Sequence, residues 1–342
     1  MHMSDALLSP VVGGAFWAAS AGMIGLSARK IAAEENGSKT VFMGVLGAFI
    51  FAAQMINFTI PGTGSSGHIG GGLLLAVLLG PWRAFITLAS VLVIQALFFA
   101  DGGLLALGCN IFNLAFFPAF IAWPFIYRPI AGDGRSPVRL ASGSMIAATA
   151  GLLMGAFSVV IQTATSGISD LPFGTFVLFM LPIHAAIGIV EGLLTWGVLS
   201  FVMRTEPTLL TAGIDMKPAK SGVLAIGFLA AALATGGVLS WFASSNPDGL
   251  EWSISKVTGK EELESPGETA HQYLAGLQKR LAILPDYDFR RPDTAETTTS
   301  ASATPVNPGT SLSGVAGSLL VLIVAGMAGV LLRKRSGASA TS

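Results

Sequence analysis

Nine apolar runs divide this chain, at about residues 9–28, 41–58, 69–80, 84–100, 104–127, 139–162, 174–203, 220–243 and 313–332. A helix needs roughly 20 apolar residues to cross the hydrocarbon core of a bilayer, so all but the run at 69–80 qualify or nearly do. Charged residues make up 11% of the 342 and hydrophobic ones 52%; a soluble domain carries about 25% charged residues. The expected fold is therefore all-α, a polytopic bundle of membrane helices in the lipid bilayer. Basic and acidic residues balance at 19 each, which gives nucleic acid no electrostatic reason to bind. The single cysteine, Cys109, excludes an internal disulfide and a thiolate cluster.

The short third run is decided by charge. With nine crossings and the N-terminus outside, the inner loops hold 13 of the 19 basic residues. The other six lie in one long outer segment, 244–312, where length weakens the positive-inside preference. If the third run did not cross, Arg128, Arg135, Arg139, Arg204, Lys217 and Lys220 would all move outside. It is therefore expected to cross, with the C-terminus cytoplasmic. A dozen residues cover about 18 Å of a roughly 30 Å core. The preceding loop, Thr59 to Gly72, must dip below the outer surface, where irregular backbone persists only inside protein or beside a cavity.

That loop contains His68 among glycines, Pro61-Gly62-Thr63-Gly64-Ser65-Ser66-Gly67-His68-Ile69-Gly70-Gly71-Gly72, and the chain opens Met1-His2. No basic leader precedes His2, and a bulky second residue normally blocks removal of methionine, so Met1 is expected to stay. A free N-terminal amine, the amide nitrogen of His2 and the His2 imidazole can all bind one metal ion, and His68 can add a fourth nitrogen. Four nitrogens in a plane suit Ni(II) or Cu(II) better than tetrahedral Zn(II) or oxygen-seeking Mg(II). The bland alternative is an ordinary Met-His start and a solvated loop histidine, the latter disfavoured by the depth of the loop. Asn57, Thr59, Ser65 and Ser66 either orient the ligands or cap helix ends.

His184 and Glu191 lie seven apart in the seventh run and share a face. They have a pathway or conformational role, or form a buried pair that orients helices. Gly143, Ala147, Gly151 and Gly155 form a ladder of small residues that permits close helix contact, within the chain or with another subunit; Gly44, Ala48 and Ala52 repeat the pattern. The segment 244–312 holds 16 of the 38 charged residues, a short helix at about 268–283 and a Thr/Ser/Pro-rich tether at about 294–312. His271, with no Cys or His nearby, is expected to be solvated. The chain lacks the G-x-x-x-x-G-K-S/T loop, so it is expected to bind no ATP, and it shows no H-E-x-x-H or G-x-S-x-G motif and no catalytic triad.

MHMSDALLSP at 1–10, QMINFTIPGTGSSGHIGGG at 54–72 and FFADGGLLALGCNIFN at 98–113 resemble the substrate-binding (S) subunit of nickel/cobalt energy-coupling-factor transporters, the NikM/CbiM family. Asn246-Pro247-Asp248-Gly249-Leu250-Glu251-Trp252 resembles the small two-span accessory subunit of the same transporters. The resemblance implies a fusion: an S-component at 1–205, a cytoplasmic linker at 206–219, an accessory domain at 220–335 and a cytoplasmic tail at 336–342. It implies one Ni(II) or Co(II) ion held as cargo by the Met1 amine, the His2 amide and imidazole and the His68 imidazole. It also implies a membrane coupling (T) subunit and cytoplasmic ATP-binding subunits as partners in a prokaryotic cell membrane, with the 143–155 ladder as a docking face. The alternative is a self-sufficient permease driven by protons through His184 and Glu191.

Overall fold

The structure, a computed structural model, describes residues 2–34, 38–134, 136–206, 221–264, 266–267, 269–290 and 306–332. Met1, Arg135, the linker beyond Glu206, residues 291–305 of the tether and the C-terminal tail lie outside the described residues. The helices in chain order are α1 (Pro10–Ala33), α2 (Phe42–Gln54), α3 (Gly72–Leu79), α4 (Pro81–Phe98), α5 (Leu107–Ala131), α6 (Pro137–Ser166), α7 (Phe173–Thr205), α8 (Ser221–Gly237), α9 (Gly249–Thr258), α10 (Thr269–Leu281) and α11 (Pro308–Leu332). A hairpin of β1 (Phe58–Ile60) and β2 (Ser65–Gly67) joins α2 to α3, with Thr59 opposite Ser66. The protein is a polytopic helical membrane protein. Among the described residues, α1, α4, α5, α6, α7 and α11 are long and apolar enough to cross a membrane.

Two of the nine apolar runs form shorter helices than a crossing needs, 13 residues in α2 and 8 in α3, and α8 has 17 described residues, at the lower end of the range for a crossing. The α2 helix stops at Gln54 because the chain turns into the hairpin. All eight residues of α3 are buried, so its unpaired ends face protein rather than lipid. Gly72 makes this possible: a Cβ there would lie 2.7 Å from the Leu114 carbonyl oxygen of α5. The α5 helix is π-helical over Phe112–Tyr127 and contains Pro118 and Pro124. A proline interrupts the α-helical ladder, and the wider i to i+5 turn absorbs that interruption.

The small-residue ladder is used inside the chain. Gly143, Ala147, Gly151 and Gly155 are all buried; a Cβ on Gly143 would meet Ala131 and one on Gly151 would meet Ala122 and Pro118. The face expected for subunit docking is thus covered by α5, because small side chains let the bulky π-helical segment approach. The second pattern also has its partner. A Cβ on Gly44 would lie 2.5 Å from the Leu322 carbonyl oxygen of α11, and Gly317 of α11 receives the Phe51 ring. The accessory helices therefore pack directly on α2.

Candidate metal site

The N-terminal segment is threaded into the bundle by polar clamps. The Met3 N–H donates to Asn110 Oδ1 (2.8 Å), and Asn110 Nδ2 and the Gly103 N–H donate to the Met3 carbonyl oxygen (3.2 and 2.9 Å). The Met3 side chain is fully buried, with its sulfur 3.7 Å from Asn113 Nδ2, and Asn113 and Gln162 exchange two amide hydrogen bonds behind it. Asp5 accepts the Ala106 N–H at 3.0 Å. Ser9 caps α1 with Pro10 in its first turn, so the chain passes from clamp to helix within a few residues.

The glycine loop is held from below. Glu191 of α7 accepts the Gly70 and Gly71 N–H groups at 2.9 and 3.0 Å. Gln54 donates to the Gly70 carbonyl oxygen at 2.9 Å and accepts from Gln95 at 2.9 Å. Buried side chains thereby satisfy backbone that no helix or sheet pairs, as irregular structure within a bundle requires. Gly71 sits at φ +76° with its Cα against Ile50, which leaves no room for a side chain.

These two supports bring His2 and His68 together, with ring centroids 5.1 Å apart and planes within 15°. The His68 Nδ1–H donates to the Ile69 carbonyl oxygen at 3.0 Å, which fixes the tautomer with its lone pair on Nε2. His2 Nδ1 lies 3.1 Å from Asp101 Oδ1, and His2 Nε2 is buried without a protein partner among the described residues. Burial pushes both imidazoles down from 6.5 to about 3. Both rings are therefore neutral near pH 7, the state in which imidazole binds a metal. Among the described residues no group of three or more His, Cys, Asp or Glu side chains converges as a metal cage.

The accessory part closes over this point. A cavity of about 740 Å³ is lined by His2, His68, Asp101, Asp248, Glu251 and Tyr287, among others. The Ser66 N–H and hydroxyl donate to the carbonyl oxygens of Pro247 (2.8 Å) and Asn246 (2.7 Å). Ser65 Oγ donates to the Ser66 carbonyl oxygen at 3.0 Å and reaches the Pro247 carbonyl oxygen at 3.4 Å. Thr59 Oγ1 donates to Ser244 Oγ (2.9 Å), the Ser244 N–H donates to the Asn57 carbonyl oxygen (2.7 Å), and Trp252 Nε1 donates to the Thr63 carbonyl oxygen (2.9 Å). Asp248 caps α9 and forms a reciprocal capping box with Glu251.

The sequence of residues 2–209 matches the family model described as the cobalt uptake substrate-specific transmembrane region, CbiM. The chain belongs to the CbiM family. Residues 222–334 match the PDGLE domain, which covers the accessory helices and the segment over the cavity. A putative fused nickel transport protein, NikMN, of Archaeoglobus fulgidus is 32% identical over 329 residues, 94% of this chain and 96% of its own length. A putative metal transport protein of Haloquadratum walsbyi is 37% identical over 212 residues, 61% of this chain and 93% of its own. The crystal structure of a transition metal transporter superposes with a TM-score of 0.52 at 30% identity, covering 60% of this chain and 93% of that one.

Within this CbiM chain the sequence-derived candidates separate into groups. His2 and His68 meet. Thr59, Ser65 and Ser66 bond the accessory segment, and Asn57 lines the cavity and accepts from Ser244 through its backbone. Glu191 anchors the glycine loop. His184 donates from Nδ1 to the Met180 carbonyl oxygen (2.8 Å) and lies beneath Gly249. His271 is buried, not solvated, with Nε2 2.9 Å from the Leu8 carbonyl oxygen; its partner is backbone, which a search for Cys or His neighbours misses. Asp101, Asn110 and Tyr287 went unnoticed. Asn110, like Gln54, Gln95, Asn113 and Gln162, is a polar residue in or beside an apolar run, and that anomaly was the available signal.

Proposed function

We propose that this CbiM protein captures Ni(II) or Co(II) outside the cell and delivers it inward as the substrate-binding subunit of an ATP-driven energy-coupling-factor transporter. The Met1 amine, the His2 amide and imidazole and the His68 imidazole hold the ion. The observation that carries this reading is the meeting of two neutral imidazoles, 66 residues apart in sequence, on a clamped N-terminal segment and a glycine loop pinned at depth. With no side-chain cage among the described residues, two imidazoles need backbone nitrogens to complete a four-nitrogen set. Such a set favours Ni(II), and Co(II) less strongly, over Zn(II).

The S-component spans 1–205, a linker 206–219 follows, the accessory domain spans 220–335, and the tail at 336–342 is cytoplasmic. The positive-inside pattern supports an outer N-terminus and a cytoplasmic C-terminus. Energy comes from a membrane coupling subunit and ATP-binding subunits, since this chain carries no P-loop sequence. A proton-driven permease gains no support from His184 and Glu191, which hydrogen-bond the Met180 carbonyl oxygen and the Gly70–Gly71 backbone respectively.

The test is one glycine added before Met1. It moves the amine by a residue and should abolish high-affinity nickel binding while the purified protein keeps its thermal transition. Unchanged affinity for nickel, measured by competition with a chromophoric chelator, refutes the four-nitrogen set.

A further inference from the structure

Helix α10 has three distinct faces, and resting on the bundle uses only one of them. Successive residues turn by about 100° around a helix, so His271, Ala275, Gln278 and Ala282 fall within an arc of about 60°. This face lies on the bundle. His271 and Ala282 are buried, and Ala275 and Gln278 line the cavity. His271 Nε2 is 2.9 Å from the Leu8 carbonyl oxygen, and Gln278 Nε2 donates to the carbonyl oxygens of Ala96 (3.0 Å) and Gly102 (2.7 Å).

Tyr273, Leu277 and Leu281, spaced by four, form a second face about 130° round from the first. They are 71%, 37% and 42% exposed. Gln272, Gly276 and Lys279 form a third face on the other side, also exposed, and a Cβ on Gly276 would meet nothing within 4 Å. The helix thus carries a polar flank in open space and an apolar flank that the described residues leave largely uncovered. Polar and apolar flanks on opposite sides are the pattern of a helix lying in the plane of a membrane surface.

The position of α10 says what covers the apolar flank. Leu8, which His271 contacts, stands two residues before α1, and Val11 in the first turn of α1 is 81% exposed. Of the six long apolar helices α1 is the least enclosed, with 17% of its apolar window buried. The bundle-facing side of α10 is therefore anchored within about one helical turn of the span that offers most surface to lipid. The charge also suits lipid: residues 269–281 include Lys279 and Arg280 and no acidic residue. Arg280 is exposed at the edge of the apolar flank, where its stem can lie along acyl chains while the guanidinium reaches phosphate. We propose that α10 is an interfacial helix whose Tyr273–Leu277–Leu281 flank sinks into the headgroup–acyl boundary at the end of the bundle that carries His2 and His68. The bilayer and the bundle then hold between them the segment that covers the cavity. This inference goes beyond the proposed ligand set and does not depend on it.

The test is spin labelling of Leu277→Cys and Gln272→Cys in the full-length chain, reconstituted into liposomes of phosphatidylethanolamine and phosphatidylglycerol. Both positions are exposed, so neither substitution disturbs the face on the bundle. Cys109 is fully buried, and the wild-type chain treated with the label in parallel gives the background. Oxygen concentrates in lipid and chromium oxalate stays in water, so power saturation with the two reagents reads the depth of each label. The label at position 277 should favour oxygen and lie about 5–10 Å into the headgroup–acyl boundary. The label at position 272 should favour chromium oxalate. A label at 277 as open to chromium oxalate as the one at 272 overturns the proposal, because the flank then faces water. A label at 277 shielded from both reagents also overturns it, because protein then covers the flank. The readout involves no nickel, so it stands or falls apart from the ligand set.

Discussion

Asn110→Ala is the substitution that most directly tests whether the metal site depends on how the N-terminal segment is threaded. Asn110 is 2% exposed and holds both backbone groups of Met3, accepting its N–H at 2.8 Å and donating to its carbonyl oxygen at 3.2 Å. The carbonyl oxygen keeps the Gly103 N–H as a second donor; the Met3 N–H has no replacement in its buried position. Two hydrogen bonds at about 1 kcal/mol each amount to about 2 kcal/mol, or roughly a 30-fold loss in nickel affinity if the whole cost falls on the docked segment. Asn110→Asp keeps the acceptor for the Met3 N–H and loses only the donor, so about fivefold is expected. The assay is chelator competition on purified protein, with thermal unfolding recorded in parallel. Equal affinities for all three proteins refute the reasoning. So does a loss that is the same in both variants, because the clamp argument requires acceptor and donor to contribute separately.

Three further outcomes follow from the same geometry. Glu191→Ala removes both acceptors under the glycine loop and should weaken nickel binding more than Glu191→Gln, which keeps one; chelator competition ranks the two. Gly249→Ala places a Cβ 3.0 Å from His184 Cε1 and Ile187 Cδ1; it should speed amide exchange across Gly249–Thr258, and His184→Ala in the same chain should restore protection. Burial and the neighbouring Asp248 charge push the Glu251 carboxyl up from 4.5 to about 7. The folded form thus favours the neutral acid: the contribution to docking is full below about pH 4.5, falls as pH rises through about 7, and is flat above. Protection factors across α9, taken relative to the base-catalysed intrinsic rate at each pH, should fall over that interval, and Glu251→Gln should remove the fall.

The helical membrane class was legible because apolar runs of bilayer length have few other uses. The meeting of His2 with His68 was legible because an N-terminal His and a glycine-set His are unusual chemistry. Exact spans were not. The run at 41–58 reads as one crossing, yet its last residues form half of a hairpin, since Pro61 and the glycines that follow supply the turn. Nothing in the apolar content of 104–127 distinguishes an α-helix from the π-helix that Pro118 and Pro124 accompany. The ladder from Gly143 to Gly155 showed that something approaches closely, but not whether that partner is in the same chain.

The largest gap lay in residues 244–312. Charge and a short amphipathic stretch made 244–312 look like a solvated domain on a tether, and its composition is indeed polar. Its backbone and side chains instead supply the partners of the site: Asn246 and Pro247 for Ser66, Tyr287 for Asp101, His271 for the Leu8 carbonyl oxygen. Contacts of this kind join residues 180 or more apart through single hydrogen bonds, and neither periodicity nor composition carries a trace of them. The accessory part thus adds to a hold that the bundle already supplies: Asn110 and Gly103 clamp the Met3 backbone, while His271 and Tyr287 reach the Leu8 carbonyl oxygen and Asp101 on either side of that clamp.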